Sequence, residues 1–297
     1  MNNSFQNISL SRNPYLLIVA GPAGAGKGNM PSFIAEHLSL ANEHKKILID
    51  DLVTKNPFYK KEYNEWVKKN NYTVEKIKQE ILSPSKETLD MFSNAYIAAR
   101  SCTNCETGEF IPNCVPNINN APPGSCNYTN DEMLLASFKE GRNIVLETTG
   151  LTFPHWIFSK KLPFVEYLQN YQIICTYTIV DMCKLLERNK SRANAQVEKY
   201  AEQMKLFAND LSKLPDAPRL PNIDINVYRK TIESIVAQLI LFVETQKTKC
   251  EEQTEYCKIR VILVDNNDKP NVVVHDSNNP EQFRDILKMY NSSSNCR

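Results

Sequence analysis

Hydrophobic residues in this chain fall into two alternating rhythms. Unbroken apolar or β-branched runs at Tyr15–Ala20, Lys45–Asp50 (KKILID), Asn143–Leu146, Tyr171–Val180 and Ile259–Val264 read as five buried strands. Between them, apolar positions recur three and four apart, the period of an amphipathic helix. That spacing predicts a helix from Pro31 through Phe33, Ile34 and Leu38, then Lys60–Asn70, Val74–Leu82 and Lys86–Arg100. Leu89, Phe92, Tyr96 and Ile97 share one side of the last of these, and Ser85 is placed to cap it. Further helices are predicted over Asn130–Glu140, Phe153–Gln169 (broken at Pro163), Asp181–Arg192, Ala195–Lys213 and Ile223–Gln246. Asn271–Val274 reads as a hairpin partner of the fifth strand and Gln282–Tyr290 as a last short helix. Strands alternating with helices make a three-layer α/β/α arrangement around a mainly parallel, five-stranded sheet. Residues 1–13 read as a flexible leader, 14–265 as the main domain and 266–297 as a C-terminal extension.

One stretch keeps neither rhythm. Residues 101–127 (SCTNCETGEFIPNCVPNINNAPPGSCN) are rich in Pro, Asn, Gly and Cys and have no apolar period. They predict a long irregular insertion, which in a compact domain needs a function or a staple. Cys102, Cys105, Cys114 and Cys126 form one C-x-x-C knuckle plus two further thiols. Four thiolates suit a structural Zn²⁺; disulfides and unliganded thiols are the other readings.

Composition narrows the classes. At 297 residues with 42% hydrophobic and 23% charged side chains, the chain can bury a large core. A net charge of +1 argues against a broad electrostatic grip on nucleic acid. No apolar run reaches the roughly 18 residues of a membrane span, and the polar first residues carry no signal-peptide core. A cytoplasmic protein is therefore expected, and its nine cysteines are then thiols or metal ligands before disulfides. His37, His44, His155 and His275 are scattered without metal-ligand spacing, and Cys250 and Cys257 lie in a polar Glu-rich stretch.

The chemistry is concentrated where the first strand ends. Gly21-Pro22-Ala23-Gly24-Ala25-Gly26-Lys27 fits the G-x-x-x-x-G-K phosphate-loop pattern, with a strand before it and helix-compatible sequence after it. Glycines let backbone N–H groups converge on an anion, the helix N-terminus adds partial positive charge, and Lys27 neutralises outer phosphates. Gly28 stands where Ser or Thr commonly meets Mg²⁺, and Asn29 follows with an amide oxygen that can reach a metal directly or through water. GPAGAGKGN resembles the adenylate-kinase form of the loop, in which Gly follows the lysine and Thr comes next.

The remaining parts of a phosphoryl-transfer site fall at other strand ends. Asp50 and Asp51 follow the second strand, suited to deprotonating an acceptor hydroxyl or holding Mg²⁺. Glu147 and Thr148 end the third, placed to bind acceptor hydroxyls. Arg188 and Arg192, four apart on one helix face, suit a lid that neutralises a γ-phosphoryl group. Each also has a plain reading as a solvated turn or surface residue.

Taken together, the phosphate loop, Ile49-Asp50-Asp51, Asn56-Pro57-Phe58-Tyr59, the strand Ile144-Val145-Leu146-Glu147-Thr148-Thr149 and the later arginines resemble the zeta-toxin-like P-loop kinases. The resemblance runs from about Leu16 to Arg192 without the cysteine-rich insertion, and Asn56 stands where that family has His. It implies a P-loop kinase-like fold with helical substrate and lid insertions, using ATP and Mg²⁺. It also implies transfer to a hydroxyl of a small molecule or nucleotide-sugar, such as UDP-N-acetylglucosamine, and an antitoxin-like protein partner. By the same resemblance, Lys27 would bind ATP phosphates, Asp50 or Asp51 act as base, Glu147 contact the acceptor and Arg188 and Arg192 clamp the γ-phosphate. A 5′-hydroxyl polynucleotide kinase and a nucleotide-binding module without turnover are the alternatives.

Overall fold

The computed structural model describes residues 14–70, 73–148, 164–207, 225–251, 259–277 and 285. The strand β1 (Tyr15–Ala20) is buried along its whole length. It lies between β3 (Ile144–Thr148) and β4 (Gln172–Ile179), both parallel to it. Outside these sit β2 (Lys45–Ile47) on one side and β5 (Ile259–Asp265) on the other, also parallel. A sixth strand, β6 (Val272–Ser277), closes the far edge antiparallel to β5, giving the order β2-β3-β1-β4-β5-β6. The sheet thus has six strands where five were expected. The segment read as a hairpin partner runs on through His275 and Asp276, and its pairing with β5 makes it a full strand.

Both faces of the sheet are covered, as its five parallel strands require. Leu16, Ile18 and Ala20 enter one core, and Tyr15, Leu17 and Val19 the opposite one, the two-residue alternation of a strand. Helix α1 (Met30–His37) covers the second face through Met30 and Ile34. The first is covered by α6 (Cys126–Lys139), the short α7 (Val165–Leu168) and α9 (Ile225–Glu251). This three-layer architecture with a glycine loop at its central strand is a P-loop kinase-like α/β fold.

A second body of helices has its own core. It comprises α2 (Ile49–Lys55), α3 (Pro57–Lys69), α4 (Val74–Leu82), α5 (Lys86–Ser101) and the later turns of α8 (Met182–Phe207). Tyr63 sits at its centre, with ring centroids 4.7 Å from Tyr200 and 5.4 Å from Phe92. The second strand is shorter than read, because Ile49–Asp51 already turn into α2. The predicted break between Arg192 and Ala195 does not occur. Ser191 and Asn194 cost only tenths of a kcal/mol in a helix, and burial of Ala193 and Val197 against the helical core carries α8 through. The leader, the Phe153–Pro163 half of one predicted helix and the 278–297 tail (Asp285 apart) lie outside the described residues.

The cysteine-rich stretch overturns the zinc reading. Cys102 is bonded to Cys114 and Cys105 to Cys126, so none of the four is a thiolate able to ligate metal. Among the described residues no group of three or more His, Cys, Asp or Glu side chains is placed to hold a metal ion. Cys183 is disulfide-bonded too, and the buried Cys175 is the free thiol among the described cysteines. The stapled segment docks on the start of α3. Gly108 approaches so closely that a Cβ would stand 2.5 Å from the Phe58 nitrogen, and Phe110 meets Phe58 edge-on at 5.0 Å.

Asp131, partly buried on α6, is pushed up to about 6, mainly by burial and offset in part by a hydrogen bond from Asn130 and the charge of Arg100. A carboxyl that is harder to ionise in the folded chain weakens the fold as pH rises from about 4 to about 6, and the loss then stays constant at higher pH. Asp131→Asn is expected to raise the melting temperature at pH 7.5, the gain vanishing near pH 4. Parallel melting curves across that range check it.

Candidate functional site

The phosphate loop connects β1 to a 3-10 turn at Lys27–Asn29 that leads into α1. Gly24 and Gly26 hold φ of 82° and 81°, a left-handed conformation costly for any side-chain-bearing residue. Both are also hemmed in. A Cβ on Gly24 would stand 3.0 Å from both the Leu185 carbonyl and Asn189 Oδ1, and one on Gly26 would overlap the Asn266 amide nitrogen. Ala25 N–H donates to the Pro22 carbonyl and Asn29 N–H to that of Gly26, fixing the turn. Lys27 Nζ donates to the carbonyls of Gly21 (2.7 Å) and Pro22 (2.9 Å), which seats the ammonium over the loop.

The other candidates gather at the same edge, because every parallel strand ends there. Val19 is level with Glu147 and Ala20 with Thr148, so the two β3 residues adjoin the loop's entrance. Glu147 is nearly buried, with Oε1 2.7 Å from Lys46 Nζ on β2, an ion pair by distance without hydrogen-bond alignment. Asp50 and Asp51 lie in the first turn of α2, where the helix dipole favours their charge. Asp50 is half-buried and its Oδ1 accepts a 2.6 Å hydrogen bond from the Tyr96 hydroxyl of α5, whereas Asp51 is exposed. With strands about 4.8 Å apart, the β2 end stands roughly 10 Å from the loop.

The arginines are placed differently from a free clamp. Arg188 donates from Nη2 to the carbonyls of Asn266 (2.9 Å) and Asn267 (3.4 Å), just past β5. Arg192 donates to Asn189 Oδ1 at 3.3 Å. Along this face α8 borders an open groove of about 520 Å³, lined among the described residues by Lys184, Glu187, Arg188, Ser191, Arg192 and Ala195.

Asn56, at the position where the resembled family carries His, is a structural residue. It is fully buried and caps α3, its Oδ1 accepting from Phe58 N–H (2.9 Å) and Tyr59 N–H (3.4 Å). Its amide donates to Thr103 Oγ1 and the Asn104 carbonyl, tying the stapled segment to the helical body. Sequence reasoning missed Lys46, Asn189 and Asn266 as members of the site. Lys46 lies inside β2, Asn266 just past β5 and Asn189 within α8, and each is recognised by the group it meets in the fold, not by a sequence signal.

Asn29 is exposed and its side chain makes no cap to α1, so an oxygen donor stands beside the lysine, while the Asp50 carboxylate lies past the β2 end. A Cβ on Gly28 meets nothing within 4 Å, so sterics do not require glycine there. Gly28→Ser is expected to fold with a melting temperature within about 3 °C of the parent chain, since it removes a flexible glycine at an open position. Differential scanning calorimetry checks this.

Fold and site together define a protein with a P-loop at the central strand of a mainly parallel α/β sheet. No family model and no curated protein sequence matches the chain. A solved structure from work on the PezAT chromosomal toxin-antitoxin system of the human pathogen Streptococcus pneumoniae is similar in chain path, with a TM-score of 0.46 and 13% sequence identity. The match covers 94% of this chain and 78% of that one. Among the described residues, no helix is long and apolar enough to cross a membrane.

Proposed function

We propose that this chain is an ATP-dependent phosphotransferase that delivers the γ-phosphoryl group to a hydroxyl of a small molecule or nucleotide-sugar. The observation that carries this reading is Lys27 seated over a glycine-strained loop at the carboxyl end of the central strand, with Asp50 and Glu147 at the ends of neighbouring strands. Phosphoryl transfer needs positioning and charge neutralisation more than covalent chemistry, and these residue types supply both. The loop N–H groups and Lys27 bind the triphosphate tail. Asp50 fits the base better than Asp51, since Tyr96 fixes its carboxylate and it is half-buried. Glu147, held by Lys46, fits an acceptor-binding role. Mg²⁺, when bound, would neutralise phosphate charge, with Asn29 as the oxygen donor nearest Lys27 and Asp50 left to act as the base.

The test is transfer of labelled γ-phosphate from ATP and Mg²⁺ by the full chain, offered UDP-N-acetylglucosamine and a 5′-hydroxyl oligonucleotide in separate reactions. Labelled nucleotide-sugar supports the reading, and label on the oligonucleotide alone replaces it with a polynucleotide kinase. Asp50→Asn is expected to lower kcat about 100-fold or more, while Asp51→Asn stays within a few-fold. A second reading is a nucleotide-binding module without turnover. It is favoured by Arg188 being committed to backbone carbonyls and by Gly28 lacking a hydroxyl. Tight ATP binding with no transfer to any acceptor would establish it. Five disulfide-bonded cysteines are the chemistry of an oxidising compartment, and they favour folding there over the cytoplasm that composition alone pointed to.

A further inference from the structure

Two carbonyls of the phosphate loop are held from outside it by asparagine amides. Asn189 Nδ2, from α8, donates to the Ala23 carbonyl at 3.1 Å. Asn266 Nδ2, from the turn after β5, donates to the Ala25 carbonyl at 2.8 Å. A trans peptide unit is planar, with its C=O and N–H pointing in opposite directions. Holding Ala23 C=O toward α8 therefore turns the Gly24 N–H away from α8. Holding Ala25 C=O toward the β5 turn does the same for the Gly26 N–H. Among the described residues neither of these N–H groups donates to a backbone carbonyl.

The two asparagines are themselves secured. Arg192 donates to Asn189 Oδ1, and Asn189 is fully buried. Asn266 donates its backbone N–H to the Ile179 carbonyl at the end of β4, and its own carbonyl accepts from Arg188. Among the described residues its Oδ1 has no hydrogen-bond partner, and the residue is only 4% exposed. A buried acceptor left unpaired costs roughly 1–3 kcal/mol, a penalty that an apolar residue of similar size would avoid. The amide is thus present for its donor, and that donor serves the loop. The approach is close enough that only glycine fits opposite it at position 26.

We infer that Asn189 and Asn266 are positioning residues for phosphate binding. Each fixes one peptide plane of the loop so that the Gly24 and Gly26 N–H groups converge on the anion. The inference rests on the reading of Gly21–Lys27 as a triphosphate site and assigns what orients it. It also gives Arg188 and Arg192 a role besides any contact with the γ-phosphoryl group, since each secures one asparagine.

The test uses Asn189→Leu and Asn266→Leu in the full chain, changes that keep side-chain size and remove the donor without adding a charge beside the anion site. Three quantities are measured: the melting temperature, the Gly24 and Gly26 amide resonances without nucleotide, and affinity for ATP and for inorganic tripolyphosphate. A folded variant is expected to shift its glycine, Gly24 for Asn189 and Gly26 for Asn266, and to bind both probes roughly 10- to 100-fold more weakly. Unmoved resonances, or moved resonances with unchanged affinity, overturn the assignment. If one variant fails to fold, the other decides. Wild-type chain that binds neither probe sinks the triphosphate reading instead, and displaced resonances would then show the asparagines shaping the loop without serving an anion.

Discussion

Lys27→Ala is expected to reduce γ-phosphoryl transfer about 1,000-fold while leaving the fold intact. In the folded chain Lys27 Nζ is bound to the carbonyls of Gly21 and Pro22, both within the loop it belongs to. These are two charge-assisted hydrogen bonds at a partly exposed site, and with water replacing the ammonium their loss costs about 1–3 kcal/mol of stability, within what a domain of this size can tolerate. Transfer is different. Charge accumulates on the β- and γ-phosphate oxygens, and a preorganised cation aimed at them in a water-poor site is worth about 4 kcal/mol of barrier. The change therefore separates binding chemistry from stability. Lys27→Arg is expected to restore little, since a planar fork on a different stem does not reproduce a compact ammonium over the loop. Steady-state transfer assays paired with thermal melts read both halves. Turnover within ten-fold of the parent chain in the alanine variant would remove the phosphate loop from the mechanism.

How much of this was legible beforehand depends on whether the information was local. The loop, the five parallel strands and the placement of acids at strand ends follow from short-range patterns: apolar runs, glycine spacing and the geometry of parallel sheets. The fusion of two predicted helices into α8 was not legible, because the buried positions Ala193, Val197 and Tyr200 are fixed by the helical core, through packing against α4 and against Tyr63 of α3, far away in the chain. The cysteine pairing was equally hidden. Four cysteines permit three connectivities, and a C-x-x-C knuckle reads as a metal site until partners are known. In the fold Cys105 pairs across to Cys126 and not within the knuckle, since the Asn104–Ser125 bridge brings those chain segments together. Asn189 and Asn266 were invisible for the same reason: an asparagine after a strand or within a helix signals nothing until the carbonyl it meets is known.

Loss of the Cys105–Cys126 disulfide should carry the largest stability effect, and it should act beyond the segment it closes. The bond spans 21 residues, and closing such a loop restricts the unfolded chain by about 3 kcal/mol. For a domain of this size that corresponds to a fall in melting temperature of roughly 6–12 °C. Cys126 is fully buried beside Asn56, whose amide donates to Thr103 and Asn104 of the stapled segment while its oxygen caps α3. Freeing the segment therefore loosens the α2–α3 corner, and with it Asp50 at the start of α2. Cys105→Ser is expected to show the melting shift together with a lower kcat and near-parental affinity for ATP, because the phosphate loop is anchored to α8 and the β5 turn and not to this corner. Wild-type chain treated with reductant should approach the variant, and the variant should respond less to the same reductant. Cys102, Cys105, Cys114 and Cys126 all reacting with thiol reagent before reduction, or zinc copurifying at one equivalent, would refute the pairing and return the segment to the metal-site reading.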